Sequence, residues 1–279
     1  MSLCTTLRLG LPVALSLLPA CAFGADQTQP ADDSQRAPAA TPGSDSLFFV
    51  AQKLAEWNVV LGGGVLVAPK YEGSDEVDFQ PVPFITASLG EHVTIDPRGV
   101  SVNIHSLGDL TLSGQFGYDT GRKQSDSDHL RGLGDIDMGG VVGATLTYER
   151  GGAEIYGSLE RIIGGSDGTQ ATLGFKLAHN VDQFRFSLGV STTWADEDYM
   201  QAYFGVTAVQ SALSGLRRYD IGAGFKRVDL ELAATYAFTE HWLVRGELGL
   251  GYLLGDVADS PVVQEAFQPS VMLLVGYRF

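Results

Sequence analysis

The chain has 279 residues, 44% hydrophobic and 18% charged, with 35 glycines and a net charge of −15. That acidity excludes the basic footprint a nucleic-acid binder needs, so no nucleic-acid partner is expected. Beyond Gly24 no apolar run approaches the ~20 residues of a membrane-spanning helix, which rules out a polytopic helical membrane protein and argues against a cytosolic helical enzyme.

Residues 1–24 read as a secretory signal. Arg8 precedes the apolar run Leu9–Leu18, and Ala22-Phe23-Gly24 fits the small-x-small cleavage pattern, with cleavage after Gly24 or after Ala22. A lipoprotein signal at Leu18-Pro19-Ala20-Cys21 is the alternative, against which Pro19 speaks. Both cysteines, Cys4 and Cys21, fall in this segment. An exported mature chain would therefore carry no disulfide, thiol nucleophile or Cys-ligated zinc, and no cofactor is expected. Residues 25–46 are rich in Ala, Asp, Gln, Pro, Ser and Thr, too polar to offset the entropy of ordering. Residues 25–56 are expected to be a flexible periplasmic segment, followed by one β domain over 57–279.

From Trp57 onward the hydrophobic period is two. Phe184, Phe186, Leu188, Val190 and Trp194 alternate with Arg185, Ser187, Gly189, Ser191 and Thr193. Leu230, Leu232, Ala234, Tyr236 and Phe238 alternate with Asp229, Glu231, Ala233 and Thr235. This pattern predicts strands with two different environments. In chain order they cover 57–68, 78–88, 91–96, 99–105, 109–118, 138–149, 152–163, 169–179, 183–194, 223–238, 241–254 and 268–279. Ten or fourteen strands stay open, because Tyr199–Gly205 also reads as a strand segment and 78–106 is the least regular stretch.

Alternation alone does not separate a soluble sandwich or lipocalin-like barrel from a lipid-facing one. Length does, since strands of this size match the 9–11 residues that cross a bilayer at ~45° tilt. Aromatic residues cluster where the apolar faces end: Trp57, Tyr118, Tyr148, Trp194, Tyr236, Trp242, Tyr252 and Tyr277. Amphipathic rings belong at headgroup level. The last segment, Val271-x-Leu273-x-Val275-x-Tyr277-Arg278-Phe279, is an alternating strand ending in Phe, like the terminal signature of bacterial outer-membrane barrels. Tyr277 and Phe279 are thus the expected assembly signal, read by the barrel assembly machinery. The predicted fold is all-β, a transmembrane antiparallel up-and-down barrel of about 12 strands. An even count puts both ends on the periplasmic side and sorts the connections. Short turns fall in the periplasm, and 69–77, 119–137, 195–222 and 255–267 fall outside, with the short turn Pro97-Arg98 as an exception.

Several segments resemble the MltA-interacting protein/OmpV family of outer-membrane proteins. They include Gly62-Gly63-Gly64, Ala68-Pro69-Lys70-Tyr71-Glu72-Gly73-Ser74-Asp75, Gln80-Pro81-Val82-Pro83-Phe84, Tyr118-Asp119-Thr120-Gly121-Arg122 and Leu130-Arg131-Gly132-Leu133-Gly134. Others are Trp194-Ala195-Asp196-Glu197-Asp198-Tyr199-Met200-Gln201-Ala202-Tyr203-Phe204-Gly205 and Gly276-Tyr277-Arg278-Phe279. The resemblance implies an outer-membrane barrel, and a family namesake is a scaffold joining a lytic murein transglycosylase to a murein synthase. Those enzymes, with outer-membrane lipid and lipopolysaccharide, are the partners it implies.

Little in the chain points to catalysis. Gly164-Gly165-Ser166-Asp167-Gly168 fits the hydrolase pattern Gly-x-Ser-x-Gly, but that elbow requires a strand-to-helix turn with a nearby His and acid. Here it sits between two strands. His92, His105, His179 and His241 lie at periplasmic strand ends and only His129 in an outer loop, so no Ser–His pair assembles. Asp126, Asp128, Asp135, Asp137, Asp196, Glu197, Asp198, Asp256 and Asp259 make the outer loops acidic, without EF-hand spacing. No metal site is assigned to them. Glu154, Glu160, Lys176, Arg185, Glu231, Arg245 and Glu247 are expected to line the lumen, their mixed signs suiting cross-strand ion pairs. The expected protein is a non-enzymatic scaffold, with a narrow solute channel as the alternative. Leu232→Arg is expected to prevent membrane assembly, at ~2–4 kcal/mol for a cation at mid-bilayer, whereas Ala233→Arg is tolerated. Heat-modifiable migration of the two variants after refolding into lipid measures the contrast, and equal behaviour would invert the assigned faces.

Overall fold

The computed structural model describes residues 57–90 and 92–279; the predicted signal and the segment 25–56 lie outside them. Twelve strands form one closed antiparallel barrel in which each strand pairs with its sequence neighbours and the first with the last. They are β1 (Trp57–Pro69), β2 (Val77–Leu89), β3 (Val93–Asp96), β4 (Gly99–Leu107), β5 (Leu110–Asp119) and β6 (Gly139–Arg150). Then come β7 (Ala153–Ile163), β8 (Thr169–Val181), β9 (Phe184–Ala195), β10 (Gly224–Ala237), β11 (Trp242–Leu253) and β12 (Phe267–Arg278). The predicted count and order match, with boundaries shifted by a residue or two. Closure runs through β1 and β12, where Val60 opposes Arg278 and Val67 opposes Val271. Phe279 continues that edge by donating its N–H to the Val59 carbonyl at 3.0 Å.

One expectation is corrected. Tyr199–Gly205 is not strand but helix α1 (Glu197–Phe204), capped where Asp196 accepts the Tyr199 N–H at 3.0 Å. Its apolar residues Tyr199, Met200, Tyr203 and Phe204 fall on one side at helical spacing and are buried. A second helix, α2 (Ala208–Ser214), follows behind a capping box at Thr207 and Gln210, and α3 (Gly255–Ala258) is one turn after β11.

The outer surface is apolar along every long strand: Leu146, Leu159, Leu173, Phe186, Leu188, Leu232, Leu248 and Leu273 all stay exposed. Their neighbours in sequence, such as Ala233 and Glu247, point inward and are buried. At the end that holds the short turns and the terminal Phe279, rings from four strands form a continuous band. Phe184 stacks on Tyr236 at 4.6 Å, Tyr236 on Phe238, and Phe238 on Trp242. Trp242 then meets Tyr277 edge-on at 5.1 Å, and Tyr277 meets Phe279 at 4.9 Å. Tyr277 and Phe279 thus tie the last strand into this belt.

The interior is not uniformly polar. On β1, β2, β11 and β12 the inward side chains Val60, Leu66, Phe84, Leu243, Met272 and Leu274 pack into a buried apolar cluster. Gly62 and Gly64 make room for it, for they oppose Phe84 and Leu274 across either ladder. A Cβ on Gly64 would collide with the Leu273 carbonyl oxygen and lie 2.6 Å from Leu274 Cδ2, whereas one on Gly246 would meet nothing within 4 Å. Gly64→Ala is therefore expected to destabilise the barrel by ~1–3 kcal/mol, the usual cost of overpacking, and Gly246→Ala to leave it unchanged. Urea unfolding in lipid vesicles compares the two; a neutral Gly64→Ala would show that the β1–β12 seam is loosely packed.

Candidate functional site: the capped lumen

A bulge in β10 builds the outer mouth. Its register with β9 shifts between Phe225 and Arg227, an irregularity at Lys226. Phe225 and Val228 remain on the outer face, while the consecutive Lys226 and Arg227 both turn inward and are buried. Glu72, in the first outer loop, receives both cations: Lys226 Nζ lies 3.2 Å from its Oε2 and Arg227 Nη1 lies 3.0 Å from its Oε1. Arg227 also clasps Asp229, with Nε 2.9 Å from Oδ2. Lys226 donates further to Gln170 Oε1 at 3.0 Å and to the Tyr199 hydroxyl at 3.2 Å, with its ammonium 4.6 Å from the centre of that ring. A buried pair is stable only when such secondary hydrogen bonds satisfy it. Burial alone would push the Glu72 carboxyl up, but Lys226 and Arg227 outweigh it and hold the group below the usual carboxylate range.

Above this latch the four long outer loops bond to one another and form a cap. Tyr71 donates to the Val262 carbonyl at 3.1 Å and to Gln264 Oε1 at 2.7 Å. Arg122 Nη1 donates to the Tyr203 carbonyl at 2.6 Å, and the Tyr203 hydroxyl to Asp119 at 2.6 Å. Burial pushes the Tyr203 hydroxyl well above its ordinary pKa, aided by Asp119, so it stays a donor. Ser260 Oγ bonds the Phe204 carbonyl at 2.6 Å, and His129 Nε2 lies 2.9 Å from the Pro261 carbonyl. Two buried apolar clusters fill the space between: one of Tyr199, Met200, Phe204, Leu253 and Val257, the other of Tyr71, Leu130, Leu133, Val206 and Val262. Three of the acidic loop residues serve local geometry. Asp126 Oδ2 accepts the Lys123 N–H, Asp135 the Gln124 N–H, and Asp128 pairs with Arg131 at 2.7 Å.

Deeper in the barrel the predicted lumen charges fall into two groups. Arg245 joins Glu247 at 2.8 Å and Glu231 at 3.8 Å, with Thr235 Oγ1 3.3 Å from its Nη1. Lys176 stands opposite Glu154 on the β7–β8 ladder. Glu154, Glu160 and Arg185 line a cavity of about 750 Å³ that runs along β4–β9, from Asp109 and Gly151 at the short turns to Tyr199 beneath the cap. The lumen is therefore half filled by the apolar cluster and ion pairs, half open and polar. Lys226 escapes a strict alternation reading, because the bulge puts it on the same face as its neighbour Arg227; Asp229 holds the polar-face position that alternation gives it, and Glu72 lies in a loop where no period of two applies. The Gly164–Gly168 segment is a turn: Asp167 has φ 48° and its Oδ1 accepts the Gly164 N–H at 2.8 Å.

The model of the family described as MltA-interacting protein MipA matches residues 61–279. The proteins named MltA-interacting protein from Escherichia coli (strain K12) and Shigella flexneri are each 26% identical over 238 residues, covering 81% of this chain and 92% of theirs. Among solved structures, a loop L8 deletion mutant of OmpT, an outer membrane protein of Vibrio cholerae, overlaps at TM-score 0.39 and 8% identity, covering 80% of this chain and 100% of that one. OprD from Pseudomonas aeruginosa gives TM-score 0.34 at 11% identity, over 80% of this chain and 59% of its own. Overlaps this loose bear on neither strand number nor activity. The family match spans all but the first four residues of the closed barrel, from Leu61 in β1 to the terminal Phe279, and the chain belongs to the MltA-interacting protein MipA family of outer-membrane β-barrels.

Proposed function

We propose that the protein is a non-enzymatic scaffold of the outer membrane, holding a murein transglycosylase, and with it a murein synthase, at its periplasmic rim. The observation that supports this most is the closed outer mouth: the Glu72–Lys226–Arg227 latch and the loop cap lie across it, while the cavity ends among the periplasmic turns. A barrel shut toward the outside and accessible from the periplasm serves envelope partners better than it serves uptake. The relatives' name points to the same class of partner. In this reading the signal is cleaved near Gly24, residues 25–56 act as a tether, and lipopolysaccharide surrounds the apolar wall. The lumen charges, Glu154 to Glu247, then act as polar fill that stiffens the wall. Tyr277 and Phe279 would be read by the barrel assembly machinery.

Two experiments test it. The purified barrel should enrich an MltA-type transglycosylase from a periplasmic extract relative to an unrelated barrel of similar size; equal recovery would sink the scaffold. In planar bilayers the intact protein should not conduct at neutral pH, and replacing 197–214 with a short Gly-Ser linker should open a steady current.

The latch also sets a pH dependence. Because the folded-state carboxyl of Glu72 is held below its ordinary value, its contribution is complete above the usual carboxylate range and is lost as pH falls through the lowered value. Current through the intact protein is thus expected only in acid below that range. Glu72→Gln, which leaves two buried cations short of their partner at a cost of ~3–5 kcal/mol, should bring current at neutral pH. A wild-type current at neutral pH would favour the channel reading instead.

A further inference from the structure

The wall of the barrel is incomplete on one side. β3 has four residues where β2 has thirteen. It pairs with β2 only through Ala87, Ser88 and Leu89, then turns back at Pro97-Arg98 into β4, whose Gly99 opposes Gly117 of β5. The β3–β4 hairpin therefore closes only the periplasmic half of the wall. Above it, between β2 and the upper end of β5, the outer half carries a notch. Among the described residues no strand pairs with that edge of β2 over 77–86.

The edge is constructed to remain unpaired. Alternate residues of an antiparallel strand direct their N–H and C=O to the same neighbour. Phe79 turns its N–H away from β1 and donates it to Asp78 Oδ1 at 2.8 Å. Pro81 and Pro83 share its parity, so the donors they lack belong to the same free side. Three successive donors are thus either absent or satisfied by the strand's own side chain. That matters in hydrocarbon, where each unsatisfied group costs several kcal/mol. The edge carbonyls still need a donor, which water or a polar head entering the gap can provide.

The cavity opens over the β3–β4 turn, where Asp96, Arg98 and Gly99 line it. Its lining includes Ser101, Asn103 and Gln115 on the lumen face of β4 and β5, and also Val100 and Phe116, which oppose each other on the lipid face of those strands. The rim carries exposed Phe79, Ile85 and Phe116, an apolar border around a polar interior. At ~4.8 Å per strand, two missing strands leave roughly 10 Å, room for one chain and its head and too little for a bulky multi-chain lipid.

We propose that this notch is a lateral portal. A single-chain amphiphile of the outer leaflet enters side-on, its polar head seated in the cavity near Ser101 and Gln115, its tail left against Phe79 and Phe116. The site is independent of the scaffold reading and of the closed outer mouth. The test uses the full barrel in liposomes with a lysophosphatidylethanolamine that carries a photoreactive diazirine on its head amine, and maps adducts by peptide mass spectrometry. Adducts are expected on Ser101, Asn103 or Gln115, which face away from lipid. Ser101→Trp, which fills the cavity just inside the notch, should abolish these lumen adducts while those on the lipid face persist. Gln115→Trp serves the same purpose should the first variant not refold. Adducts confined to lipid-facing residues such as Ile104, adducts clustered at the periplasmic turns near Asp109 and Gly151, or lumen adducts that survive the tryptophan would each overturn the portal.

Discussion

Hydrocarbon offers no hydrogen bond, and a sheet placed in it must satisfy its own backbone or leave unpaired groups at several kcal/mol each. Closure of β1 onto β12 follows from that constraint, as does the apolar outer face. Once the wall is closed, every second side chain is confined to the inside whatever its chemistry, and the interior has to accommodate what alternation delivers. Here it does so in two ways. On β1, β2, β11 and β12 the inward residues are apolar and pack against each other over two glycines. On β7–β11 they are charged: Arg245 pairs with Glu247 on its own strand and with Glu231 on β10, and Lys176 stands opposite Glu154 across the β7–β8 ladder. The remaining volume, along β4–β9, is left open.

The same constraint explains why the short hairpin is informative. A gap in the wall leaves a strand edge, and an edge in a membrane is a liability unless donors are removed or water is near. Pro81, Pro83 and the Asp78 side chain remove or satisfy donors at this edge. The features that would be faults in an ordinary spanning strand are consistent with each other when the gap is part of the design.

The barrel is legible in the sequence because the period of two is physical: each strand crosses the bilayer with one face in lipid, so composition records the facing residue by residue. That holds for β6 to β12, where the apolar series is long. It weakens around β2–β4, where prolines and a four-residue strand interrupt it. The cap is less legible. Helix α1 hides in a stretch rich in Tyr and Phe that also suits a strand, although Asp196 before it and apolar residues at 199, 200, 203 and 204 are helical signals. The latch is hardest to foresee. Glu72 meets Lys226 and Arg227 across more than 150 positions in sequence, and the pair point inward together only because the ladder slips at 226. No local pattern records such a slip, since it arises from pairing with β9.

That slip ties the earliest loop of the barrel to one of its last strands. Glu72 belongs to the first hairpin and its cationic partners to the tenth strand, so the contact has no meaning until β11 and β12 have been laid down and the cylinder has joined. Until that moment Lys226 and Arg227 have no counter-ion from the first hairpin, and the loops above them have nothing to fasten to. The lid can thus be drawn shut only on a finished cylinder, which makes its sealing a built-in report that insertion is complete.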